Sequence, residues 1–116
     1  MFSDLPIEHI AVTQRMLGNY GQLAGMVKTI RDGKARDLPP IILNETSDNF
    51  LQCRDGHHRL LAFYLAGERV LQIENYLYSV GSLRQHSFGS VETLVDWLAE
   101  YERLHNVAEP LCPKIQ

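Results

Sequence analysis

The run Cys53-Arg54-Asp55-Gly56-His57-His58-Arg59, followed at once by Leu60-Leu61-Ala62-Phe63-Tyr64-Leu65-Ala66 and then Gly67, constrains this chain more than any other stretch. Ahead of it, residues 49–52 read as a short strand; behind it, Leu60, Leu61, Tyr64 and Leu65 recur at helical spacing. A charged cluster therefore sits where a strand turns into a helix. Such a turn suits an anion: the first N–H groups of a helix lack intrahelical acceptors, the macrodipole adds roughly half a positive charge, and a glycine lets a ligand approach the main chain. Arg59 can add a bidentate fork to phosphate oxygens, and His57 and His58 supply further donors and a candidate proton carrier.

The same residues admit a purely structural reading. Asp55 is a good N-cap, Gly56 a turn residue, Gly67 a C-terminal stop, and His57, His58 and Arg59 a solvated first turn. Against it, a basic pair and an arginine in a first helical turn oppose the macrodipole by roughly 0.3–1 kcal/mol each, which a bound negative group would offset. In the functional reading Asp55 holds Mg²⁺ or accepts a substrate hydroxyl proton, and His58 hydrogen-bonds a phosphate.

Asp-Gly-His-His-Arg at 55–59, opening an amphipathic helix that ends in Ala66-Gly67, resembles the ParB/sulfiredoxin superfamily. The spelling is most similar to the branch of ADP-dependent free serine kinases. The resemblance covers residues 5–78 and implies a nucleotide cofactor, ATP or ADP with Mg²⁺, whose phosphates lie around Gly56, His57, His58 and Arg59. It also implies a catalytic part for Asp55. Gly33 and Pro40-Ile41 are similar to the superfamily's glycine, spacer and Pro-Ile pair, with a longer spacer here. The kinase branch uses a glutamate ahead of its first helix; that position falls at or near Gln14, and glutamine cannot act as a base. Glu8 is the nearest carboxylate on the N-terminal side. Sulfiredoxins place a nucleophilic cysteine where this chain has His57, and Cys53, on the preceding strand, is expected to be buried and inert. A helix-turn-helix domain of the partition ParB type is not expected in a chain of 116 residues.

At 116 residues, 45% hydrophobic and 22% charged, the chain has material for one core, read as a single domain over 1–105 with a poorly ordered tail at 106–116. The formal net charge of -3 gives no global field for DNA, so DNA is not an expected partner. The absence of a long apolar run or leader-like segment sets the expectation of a cytoplasmic protein with no membrane partner. Cys53 and Cys112 have no metal-ligand spacing, and no metal site is expected from side chains alone.

The remaining elements follow from periodicity. Residues 5–12 read as a short strand or extended entry, and 20–32 as a helix with Leu23, Met26, Val27 and Ile30 on one face, all taken as core, and Gly33 as its stop. Residues 41–43 and 50–53 read as a hairpin around the turn formers at 44–49, delivering Asp55 to the helix start. Residues 70–78 read as another strand and 80–89 as a loop. Ser90 caps a helix with Val91, Leu94, Val95, Leu98 and Tyr101 on one face. The expected fold is α+β, a small mixed sheet packed with about three helices in the ParB/sulfiredoxin manner. The expected function is binding of a nucleotide or phosphorylated small molecule, with phosphotransfer or ATP/ADP hydrolysis at the 55–59 turn. The rival is a non-catalytic module that regulates binding to a protein partner.

Overall fold

The structure is a computed structural model that describes residues 4–45, 51–80 and 84–113. Strand β1 (Leu5–Pro6) leads through a single 3-10 turn at Ile7–His9 into an extended connector, then helix α1 (Tyr20–Arg31). A second 3-10 turn at Ala35–Asp37 precedes β2 (Ile41–Glu45), β3 (Leu51–Asp55) and α2 (His57–Leu65). Strand β4 (Val70–Leu71), a 3-10 turn at Ile73–Asn75, β5 (Tyr76–Val80) and α3 (Val91–Leu104) complete the order.

The main sheet runs β3-β2-β5, with β2 antiparallel to β3 and parallel to β5, so it is mixed as expected. The hairpin of β2 and β3 is present, its turn at 46–50 lying outside the described residues. Its register shifts between Ile42 and Leu43: Ile42 faces Asp55 while Leu43 faces Cys53, which leaves Arg54 as the extra residue of a bulge. A separate ribbon pairs β1 with β4, Leu5 opposite Leu71.

Two sequence expectations change here. The single strand read over 70–78 is two short strands in different sheets, parted by the turn at Ile73–Asn75. Alternating apolar residues continue through that turn, so periodicity could not locate the break. The entry segment is strand only at Leu5–Pro6; further on, Ala11 bridges to Gln52, and Val12 exchanges backbone hydrogen bonds with Phe88 and Gly89.

Helix α2 is the centre of the packing. Leu60 through Leu65 are all buried, contacting α1 on one side and α3 on another. A helix apolar on nearly every face is a core helix, and each of its large side chains contributes roughly 1.5–3 kcal/mol by leaving water. Its first turn, carrying His57, His58 and Arg59, is thereby anchored by the best-buried segment of the chain. Gly67, at φ 100°, ends the helix with its N–H on Tyr64 O and the Glu68 N–H on Phe63 O.

The segment after α3, read from sequence as a poorly ordered tail from Asn106, packs back on the domain as far as it is described. The Glu102 carboxylate, 6% exposed, accepts the N–H groups of Leu111 (2.6 Å) and Cys112 (3.1 Å) and the Tyr20 hydroxyl. Cys112 is buried with the core. Backbone donors meeting an acidic side chain have no apolar signature, so composition alone hid this contact.

Candidate functional site

The turn between β3 and α2 is built by Gly56. Its φ of 101° lies in the left-handed region that side chains rarely adopt. An added Cβ would also stand 3.2 Å from Cζ, Nε and Nη2 of Arg59, so the glycine makes room for the guanidinium. The N-cap position belongs to Gly56, and no side chain accepts a helix N–H there. The capping reading of Asp55 is thereby corrected: Asp55 is still paired with Ile42 as the last residue of β3, one position too early to cap. Its carboxylate, 72% exposed, lies 3.6 Å from Arg59 Nη2. The opening N–H groups of α2 thus carry no side-chain cap.

Arg59 is the most enclosed cation of the turn, its side chain 13% exposed. Its Nη1 donates to Pro40 O at 2.8 Å, which ties the helix start to the entry of β2. The two histidines hold the connector ahead of α1. Thr13 N–H donates to His57 Nε2 at 3.0 Å, and Thr13 Oγ1 donates to Cys53 O at 3.0 Å. His58 Nε2 donates to Gly18 O at 2.5 Å, next to Asn19, whose side chain caps α1 by accepting from Gln22 N–H. Burial, with a smaller push from His58 and against the pull of Asp55, lowers the His57 pKa to about 4, so its ring is neutral at pH 7. That ring faces the connector; what His57 can offer a ligand is its backbone N–H. Cys53 is fully buried and its thiol is pushed up to about 12, chiefly by burial and secondarily by Asp55. It is inert at neutral pH.

These elements line a cleft of about 380 Å³. Residues 54–59 form one wall, with Gln14, Gln22 and Met26 from the connector and α1, and Pro39 from the loop before β2. The volume lies in the range of small-molecule sites. Every residue singled out at 55–59 reaches this cleft, and so does Gln14. Glu8 does not: the Tyr64 hydroxyl lies 3.2 Å from its carboxylate and 2.6 Å from that of Glu92, away from the cleft. Among the described residues Asp55 is the one carboxylate lining the cleft, and no group of three or more His, Cys, Asp or Glu side chains could hold a metal.

Gln22, Met26, Pro39 and Arg54 are lining residues that sequence reasoning passed over. Gln22 and Met26 stand four apart on α1, a spacing that puts them on one helical face and was a usable signal. Met26, read as ordinary core, does pack against the core but also borders the cleft. Arg54 had no such signal, because strict strand alternation would place it opposite Asp55.

No protein-family model matches the chain, and no curated protein sequence matches it. Among solved structures it is similar to the C-terminally truncated chromosome-partitioning protein ParB from Caulobacter crescentus, complexed with CTP-gamma-S, at 21% identity and a TM-score of 0.50. The fold is ParB-like. The match covers 91% of this chain and 52% of that one, so the chain corresponds to about half of the ParB structure. None of the described helices is long and apolar enough to cross a membrane.

Proposed function

We propose that this domain binds a nucleoside di- or triphosphate in the cleft at the start of α2. The phosphates lie on the N–H groups of His57, His58 and Arg59, against Gly56, with the Arg59 guanidinium beneath them. The observation that carries this reading is the helix start itself: its N–H groups have no side-chain cap, a half-buried arginine adjoins them, and both face a cleft of about 380 Å³. The ParB-like fold supports it, since the structurally similar ParB is complexed with a CTP analogue. ATP, ADP and CTP are therefore the ligands to compare.

Phosphotransfer or hydrolysis is the second reading. The exposed Asp55 carboxylate on the cleft wall favours it, as the group that would hold Mg²⁺ or take a hydroxyl proton, with His58 hydrogen-bonded to a phosphate. Mg²⁺, if held by Asp55, would neutralise charge on the phosphates. Gln14 on the same cleft weighs toward binding without turnover, because an amide cannot serve as a second acid or base.

Calorimetric titration with ATP, ADP, CTP and inorganic phosphate, each with and without Mg²⁺, tests the site. Micromolar binding that Arg59→Ala weakens by roughly 10- to 100-fold, while the variant still melts cooperatively, is the expected result. Equal affinity in the variant, or no binding by the wild-type protein, ends the phosphate reading.

A further inference from the structure

The cleft is chemically lopsided. Among the described residues its charged side chains all come from residues 54–59, whereas the rest of the lining, Gln14, Gln22, Met26 and Pro39, is uncharged. Gln22 and Met26 stand four apart on α1, so both lie on the helical face that borders the cleft. The main chain at Gln22 is fixed: Asn19 Oδ1 accepts its N–H at 3.2 Å, and His58 donates to the nearby Gly18 carbonyl, which ties the start of α1 to the start of α2. Gln22 is exposed, and its carboxamide makes no hydrogen bond to any described residue. Gln14, by contrast, follows Thr13, whose N–H and hydroxyl donate to His57 and Cys53, so it belongs to the α2 end of the cleft.

We propose that Gln22 reads the nucleobase: its carboxamide hydrogen-bonds the Watson–Crick edge of a base that lies on Met26 and Pro39. This rests on the nucleotide reading above and adds to it a place for the base. A nucleotide has the same lopsided chemistry as the cleft, a charged phosphate tail joined to a flat, uncharged heterocycle. With the tail on the α2 N–H groups and Arg59, the base meets the uncharged lining. A polarizable thioether suits the edge or face of an aromatic ring, and the proline ring adds apolar area. A carboxamide sets one acceptor beside one donor. That pattern complements adenine, whose N6 amino group adjoins the N1 acceptor, and cytosine, whose N4 amino group adjoins the N3 acceptor.

The experiment titrates ATP, CTP, GTP and inorganic tripolyphosphate into wild-type protein, Gln22→Leu, Gln22→Glu and Arg59→Ala, with cooperative melting checked for each variant. Gln22→Leu is expected to weaken ATP and CTP by roughly tenfold, the worth of one or two neutral hydrogen bonds, and tripolyphosphate by less than about twofold. Gln22→Glu replaces the mixed pair by two acceptors. Of the three bases only guanine sets two donors side by side, N1–H and the N2 amino group, so the ratio of GTP to ATP affinity should rise by roughly tenfold. The added charge repels every triphosphate alike, which leaves that ratio as the measure of base contact; a merely structural role would not move it. If Gln22→Leu leaves ATP unchanged or weakens tripolyphosphate as much as ATP, or if the GTP to ATP ratio stays at its wild-type value in Gln22→Glu, the proposal fails while the phosphate site stands. Absence of binding by all four ligands to wild type, or affinities indifferent to Arg59→Ala, removes the nucleotide reading itself.

Discussion

Two polar clusters set against the core, one at the start of α2 and one at Glu102, are built on opposite plans. At Glu102 a buried carboxylate meets three donors, the Tyr20 hydroxyl and the N–H groups of Leu111 and Cys112. Every donor and acceptor there comes from the chain, and the cluster is closed. At the start of α2 the donors outrun the acceptors: Arg59 and His58 are steadied by the carbonyls of Pro40 and Gly18, the helix N–H groups have no side-chain cap, and the assembly opens on a cleft. A buried polar group that is fully met fixes structure, whereas a supported but unfilled set of donors is what a binding site requires.

Removing the closed cluster is expected to have the largest effect on stability. Glu102→Leu leaves three donors without their acceptor, each worth roughly 1–3 kcal/mol while buried. The segment at 107–113 can recover water by undocking, so a net loss of about 3 kcal/mol in urea denaturation is expected, with new protease cleavage in that segment. Nucleotide affinity, measured well below the unfolding transition, stays within about twofold of wild type. Unchanged stability would show that the docked segment carries little of the fold.

His57 sharpens the comparison from the other side, because it belongs to the open cluster yet does structural work. Its folded pKa of about 4 lies below the unfolded value of 6.5. Between those values the unfolded chain takes up a proton that the folded one refuses. The stability from neutral His57 is therefore complete above about pH 6.5, falls as pH drops toward 4, and is level below that. At 1.36 kcal/mol per unit the change approaches about 3 kcal/mol. Urea midpoints of wild type and His57→Gln across this range should converge at low pH; parallel curves would remove His57 from the account. Gly56→Ala comes next. Strain at φ 101° costs roughly 1–2 kcal/mol. Displacement of Arg59 by the new Cβ should weaken nucleotide binding by about tenfold. An alanine variant that binds normally would show that the guanidinium's seat against Gly56 is unimportant.

The three helices were legible because each announces itself locally: Gly33 and Gly67 stop α1 and α2, and Ser90 accepts from Glu92 N–H at the start of α3. The strand-to-helix turn was legible too, from Gly56 and the apolar run after it. What stayed hidden depends on partners distant in sequence. The pairing of β1 with β4, and of β2 in parallel with β5, has no local code. Nor does the bulge at Arg54, since an extra residue in one strand is visible only against the other. Glu102 did leave a trace: it follows Val91, Leu94, Val95 and Leu98 on the apolar stripe of α3, where an acid has no reason to be unless donors meet it. The inward turn of His57 left none, because its partner, the Thr13 N–H, is backbone.

Asp55→Asn should change stability least and function most informatively. The carboxylate is largely solvent-exposed and 3.6 Å from Arg59, a pair of the kind that contributes roughly 0–1 kcal/mol, and it caps nothing. Melting should therefore barely move. In the cleft, however, Asp55 is, among the described residues, the one negative side chain of the lining. Its neutralisation should tighten nucleotide binding without Mg²⁺ by a few-fold, through lost repulsion and a freer Arg59. If Asp55 also holds the metal, the benefit of adding Mg²⁺ disappears in the variant, and any phosphate release or transfer by the wild-type protein goes with it. If Mg²⁺ improves affinity equally in both proteins, the metal is carried by the nucleotide alone. Asp55 would then tune the charge of a binding site, and the open cluster would be a receptor for nucleotide with no chemistry of its own.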